Sequence, residues 1–303
     1  MKFNRRLLEK LLILLAILTP ICIALRLFTY WNELNVSTGF FLGASTGCLL
    51  FNIFAFLVFF LCLCFSFSKK GKSLNKRRSK AKEVLLKEDE LLIQTKRLSD
   101  DEDKLTLSGF DKAVGTWNGT LSAFAPLFLA LAFICFGVAI LLEKENYSNY
   151  YQLALTGFSF LSSLFFLFLA FKNTAEKSPA MAFLGLSPVL WCALRLLCEY
   201  RDLTRFMNKS LYVGQFLFVI SALIFFVYQA QFLLGDKNLL RPNSYAFNAL
   251  LVLFLGLGAR LPHLIALLGD KTTMTLSDST ALLVDLAITV FAAIKISSVF
   301  KNS

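Results

Sequence analysis

The chain has a single histidine, six prolines and only 17% charged residues. It also lacks the short signatures that mark common active sites. There is no GxSxG elbow, no P-loop, no HExxH and no helix-borne pair of acids within an apolar segment. Metal-assisted transfer and intramembrane hydrolysis therefore have no residues to carry them, and no enzymatic activity, metal or cofactor is expected. The seven cysteines, at 22, 48, 62, 64, 135, 192 and 198, lie in or at the ends of apolar segments and read as small lipid-facing or core residues. A zinc site on Cys62 and Cys64 is short of ligands. The apolar runs also lack the alternation of a membrane β-barrel.

What the sequence has in abundance is apolar residues, 57% of the chain, with 33 phenylalanines and a mean hydropathy of +0.65. Soluble proteins average about 45–50%. A bilayer core is about 30 Å thick and takes about 20 helical residues to cross, with every backbone polar group satisfied inside the segment. The runs predict an all-α, polytopic integral membrane protein of about eight transmembrane helices, at about 11–31, 39–67, 118–142, 151–171, 180–198, 210–234, 245–268 and 279–299. The chain divides into 1–68 with spans one and two, 69–116 as a cytoplasmic basic loop, and 117–303 with spans three to eight. The N-terminal run resembles a signal peptide but is long and lacks a small-x-small cleavage site, so it reads as an uncleaved span.

The net charge of +11 points to a membrane surface rather than to nucleic acid, because the cations lie between spans. Lys2, Arg5, Arg6 and Lys10 set the N-terminus in the cytoplasm, and Tyr30 and Trp31 supply an outer interfacial anchor. With eight spans both termini are cytoplasmic, and 23 of the 31 lysines and arginines fall on that side. The setting this suggests is a bacterial cytoplasmic membrane. Lys69, Lys70, Lys72, Lys76, Arg77, Arg78, Lys80 and Lys82 precede any acid in their loop and can contact anionic lipid, at about 1 kcal/mol per cation. Behind them, residues 80–98 carry apolar positions at heptad spacing and predict a short amphipathic helix able to meet a protein partner. Gly39, Gly43 and Gly47 form a small-residue stripe for helix packing, against a neighbour in the same chain or a second copy. The third span, nearly free of polar groups, is a lipid-facing candidate, and Pro262 is expected to kink the seventh.

Ionisable groups inside spans are costly, about 2.5–3.5 kcal/mol each at a helix centre. Arg26, Arg195, Glu199, Arg260, His263 and Asp285 nevertheless share one depth, the outer third of the predicted topology. Arg195 and Glu199 are four apart and Arg260 and His263 three apart, so each pair shares a helix face. The segment TPICIALRL at 19–27 is echoed by SPVLWCALRL at 187–196, which suggests two parallel four-helix repeats with Arg26 and Arg195 in matching places. Two readings follow. In one, the arginines and His263 line a pocket for a small anion or an anionic lipid head group, with Asp285 or Glu199 fixing their geometry. In the other, each arginine reaches separately to the head groups. Lys295 is expected to do the same or to pair with an aspartate.

Residues 256–269, GLGARLPHLIALLG, resemble the G-x2-A-R-x8-G part of the signature of the CDP-alcohol phosphotransferases. The acids that this family uses to hold its metals are replaced by Val252, Leu255, Thr273 and Ser277, so the resemblance implies no activity. The leading expectation is a non-enzymatic binder or transporter of a small anion or anionic head group. The alternative is a membrane scaffold or sensor that recruits a cytoplasmic partner through 69–103. Oligomeric state is not set by either.

Overall fold

A computed structural model describes residues 5–32, 34–35, 40–41, 46–67, 120–143, 150–172, 179–205, 211–234, 242–269 and 275–302. Helices α1 (Arg5–Asn32) and α2 (Thr46–Phe67) come first, with a two-residue antiparallel pairing between them, β1 (Leu34–Asn35) on β2 (Phe40–Phe41). Then follow α3 (Thr120–Leu142), α4 (Tyr150–Lys172), α5 (Pro179–Gly185), α6 (Ser187–Arg205) and α7 (Leu211–Leu234). The chain continues through α8 (Pro242–Leu255), a π-helical turn (Gly256–Arg260), α9 (Leu261–Leu268) and α10 (Leu276–Asn302).

Seven helical segments are long and apolar enough to cross a bilayer among the described residues. The chain is an integral membrane protein. The expected second span, at α2, has a shorter apolar stretch, Leu49–Cys62. Its helix begins at Thr46 rather than at 39, because Phe40 and Phe41 are paired with Asn35 and Leu34. Gly39, Gly43 and the whole basic loop, Lys69 to Lys82 and the 80–98 segment included, lie outside the described residues.

The bundle packs around the α8–π–α9 segment, which touches α1, α2, α7 and α10, while α3 lies against α4 and α10, and α6 against α4 and α7. Between neighbouring helices lies a layer of rings. Phe166 meets Phe133, Phe226 and Phe291, and Phe225 meets Phe291 and Tyr245, with centroids 5.3–6.0 Å apart. Each such pair contributes about 0.5–1.5 kcal/mol beyond burial. In lipid this close packing, rather than removal from water, is what holds helices together.

That layer narrows the expectation for the third span. Helix α3 is open on one side only, through Phe124, Phe128, Leu131, Val138 and Leu142, while 56% of its apolar window is buried against 22% for α1. A lack of polar groups says nothing about exposure when the neighbours are also apolar, and Leu129, Ala130 and Phe133 meet ring and methyl surface instead of lipid. Hydroxyls in the spans bond back to carbonyls, as Thr19 does to Leu15 and Ser162 to Phe158, or across a seam, as Ser159 does to Phe133 at 2.7 Å.

Two prolines shape the backbone near the ionisable groups. The fifth span is not one helix but breaks at Leu186, between α5 and α6. Pro188 has no N–H for the carbonyl of Leu184, and the Ser187 hydroxyl donates to that carbonyl instead, at 2.7 Å. Pro262, likewise unable to donate to Gly258, follows a turn widened to the π form, in which the Leu261 N–H bonds to Gly256. Pro20, by contrast, sits inside the unbroken α1. The two segments matched as a repeat thus differ in backbone.

Candidate functional site

Asp285 is the centre of the polar residues. It lies on α10 with no exposed surface, and its carboxylate accepts from Nη1 and, at 2.8 Å, Nη2 of Arg195 on α6. Arg260, the last residue of the π-helical turn, places its Nη2 on Oδ2 of the same carboxylate. Arg195 also donates from Nε to Oε1 of Glu199, one helical turn on, at 2.8 Å. Gln215 of α7 closes the ring. Its amide donates to Glu199 Oε1 at 2.6 Å and accepts from Arg260 Nη1 at 2.7 Å. Such two-point, charge-assisted contacts fix orientation as well as energy.

Arg26 of α1 reaches the edge of this network. Its guanidinium lies 4.1 Å from the ring centre of Phe51, and its Nη2 lies within 2.9 Å of where a Cβ on Gly214 would be. Phe51 and Ala259 bound the same gap, so the absence of a side chain at position 214 is what lets α7 pass close to Arg26. Arg195 has its own ring, Trp191, 5.1 Å away. Cation–π contacts of this desolvated kind contribute about 2 kcal/mol.

No known protein family, curated protein or solved structure matches this chain.

The arginines are buried, each less than 5% exposed, and do not reach out to head groups. Five of the six expected site residues are thus placed in or beside one network. The sixth, His263, is stacked on Tyr30 with centroids 5.6 Å apart. This also corrects the reading of Tyr30, which is buried against the histidine instead of anchoring at an interface; the neighbouring Trp31 is exposed. Lys295 is buried as well, its Nζ 5.9 Å from the Phe291 ring, and does not snorkel. Gly47 lies against α1, where a Cβ would come within 2.5 Å of Thr29 Oγ1. Cys22, Cys62 and Cys192 are buried thiols, and no metal-holding cluster exists among the described residues.

Gln215 was absent from the sequence reading because it carries no charge. The available signal was its position, one polar amide in the apolar run LYVGQFLF near the start of α7. Gly256 was likewise read only as a motif letter. A Cβ on Gly256 would fall 2.0 Å from Thr289 Oγ1, so this glycine brings the π-helical turn, and with it Arg260, against α10.

Chemically, the network is a buried set of charges with three guanidiniums in or beside it and two carboxylates within it. Two of its atoms, Arg260 Nε and Glu199 Oε2, are buried without a hydrogen-bond partner among the described residues. Both Asp285 oxygens accept from guanidiniums, and His263 faces a tyrosine.

Proposed function

We propose that the protein binds or transports a small anion, free or carried on a lipid head group, at the Arg195–Asp285–Arg260 network. The observation that carries this reading is the meeting of Arg195 and Arg260 on the one Asp285 carboxylate inside the bundle, with the Arg26 guanidinium close by. Guanidiniums gathered in one buried place favour an anion, with which they form charge-assisted hydrogen bonds. Such an anion would enter beside Arg26 and Arg260.

In this reading α2 is a span as well, both termini are cytoplasmic, the network lies in the outer third of the membrane, and the setting is a bacterial cytoplasmic membrane; the gathering of cations between spans supports the orientation.

The reading is tested by thermal-shift measurement of the purified protein in nanodiscs with inorganic phosphate, sulfate and propionate, and with phosphatidylglycerol added to the lipid. At least one of these should raise the melting temperature, Arg260→Gln should abolish that rise, and removal of residues 72–103 should leave it intact. No response to any of them, or an unchanged response in Arg260→Gln, would overturn anion binding. Loss of the response on removing 72–103 alone would instead favour the scaffold reading, in which the basic run holds a cytoplasmic partner.

A further inference from the structure

Among the described residues, the network's two unsatisfied atoms are of opposite kinds. Arg260 Nε is a donor on a side chain 4% exposed, and Glu199 Oε2 is an acceptor on one 11% exposed. Both residues are tied to one amide, since Gln215 accepts from Arg260 Nη1 and donates to Glu199 Oε1. The open donor and the open acceptor therefore belong to side chains held one amide's width apart. A buried donor or acceptor without a partner costs about 1–3 kcal/mol, more when charged. A plain anion would satisfy the arginine and leave the carboxylate oxygen as it was, facing added negative charge.

From this pairing we infer that the ligand is an anion bearing its own hydrogen-bond donor, an ammonium or hydroxyl group a few bonds from the carboxylate or phosphate. Its anionic group meets Arg260 Nε, and its donor meets Glu199 Oε2. This deepens the anion-binding reading and rests on it. A site built to bond a ligand N–H or O–H rejects the analogue without one, because the site's own polar group is then stranded. The same chemistry is offered by a free amino or hydroxy acid and by a lipid head group such as phosphoethanolamine.

The test compares near-isosteric probes on the intact protein in nanodiscs of neutral lipid. L-alanine and L-lactate are set against propionate, and phosphoethanolamine against ethyl phosphate, with affinity read by isothermal titration. Each donor-bearing probe of the preferred pair should bind about tenfold more tightly than its partner. Preference confined to the carboxylates identifies a free acid as the source, and preference confined to the phosphates a head group. Equal binding of donor-bearing and plain probes would overturn the inference while leaving anion binding in place. No binding of any probe would remove both.

Glu199→Gln, which keeps an acceptor for Arg195 and Gln215 but presents an amide in place of Oε2, should bring the ratio to about one with the plain anion's affinity retained. Persistence of the preference in that variant would also overturn the inference. If the variant does not assemble, the comparison on the unaltered protein decides by itself.

Discussion

Arg195 and Asp285, ninety residues apart in sequence, meet through two parallel hydrogen bonds in the interior of the bundle. This contact ties α6 to α10, and Arg260 joins the same carboxylate from the π-helical turn. Three separated segments are thereby fixed to one side chain.

Asp285→Ala strands two guanidiniums and should lower stability by about 3–5 kcal/mol, the usual cost of breaking a buried pair. Arg195→Met should cost a similar amount. The double change should cost clearly less than the two added together, since each single change leaves a stranded partner. Melting followed by fluorescence-detected size exclusion measures all three, and strict additivity would show that the pair is not coupled.

Gly256→Ala places a methyl group where Thr289 stands, 2.0 Å from its Oγ1. Overpacking of this kind costs about 1–3 kcal/mol. Adding Thr289→Gly should recover part of the loss, whereas a Gly256→Ala protein as stable as the original would mean that the turn and α10 are not in contact.

Pro262→Ala restores an N–H that can bond to the Gly258 carbonyl, which lets the turn tighten toward the α form and rotates Arg260. The expected result is a protein of nearly unchanged melting temperature whose response to anions is weakened. A full response in this variant would show that the widened turn does not position the arginine.

Phe51→Leu removes the ring beneath Arg26 while keeping an apolar side chain. It should destabilise by about 2 kcal/mol, and Phe51→Tyr, which keeps the ring face, by less. Equal losses in the two variants would assign the effect to packing alone.

Much of this could be read from the chain before any coordinates. The apolar runs gave the helices because lipid leaves the backbone no other partner. Arg195 and Glu199 were paired by spacing alone, and Arg195 and Arg260, grouped with Asp285 in the sequence, are in contact with it. Exposure was harder. Tyr30 and one side of α3 are buried where the sequence suggested lipid or its surface, as is Lys295, for which pairing with an aspartate was the other expectation, because a phenylalanine presents the same composition to a neighbour as to an acyl chain. Gln215 escaped because an uncharged amide is cheap enough in a helix to pass unnoticed. The helix break at Leu186 and the widened turn before Pro262 depend on which carbonyl loses its partner, and that is settled only once the neighbouring segments are in place.

The ring layer described with the fold stands between two polar districts. On α10, Phe291 separates Asp285 from Lys295, and on α7, Phe225 and Phe226 separate Gln215 from Gln229, whose amide oxygen accepts from Tyr245 at 2.8 Å. A layer of apolar rings of this kind is a low-dielectric barrier to a charge. If the protein moves an anion, transit from the arginines would depend on swinging these rings aside. In a transporter of this design, speed would be governed by that movement and selectivity by the network before it.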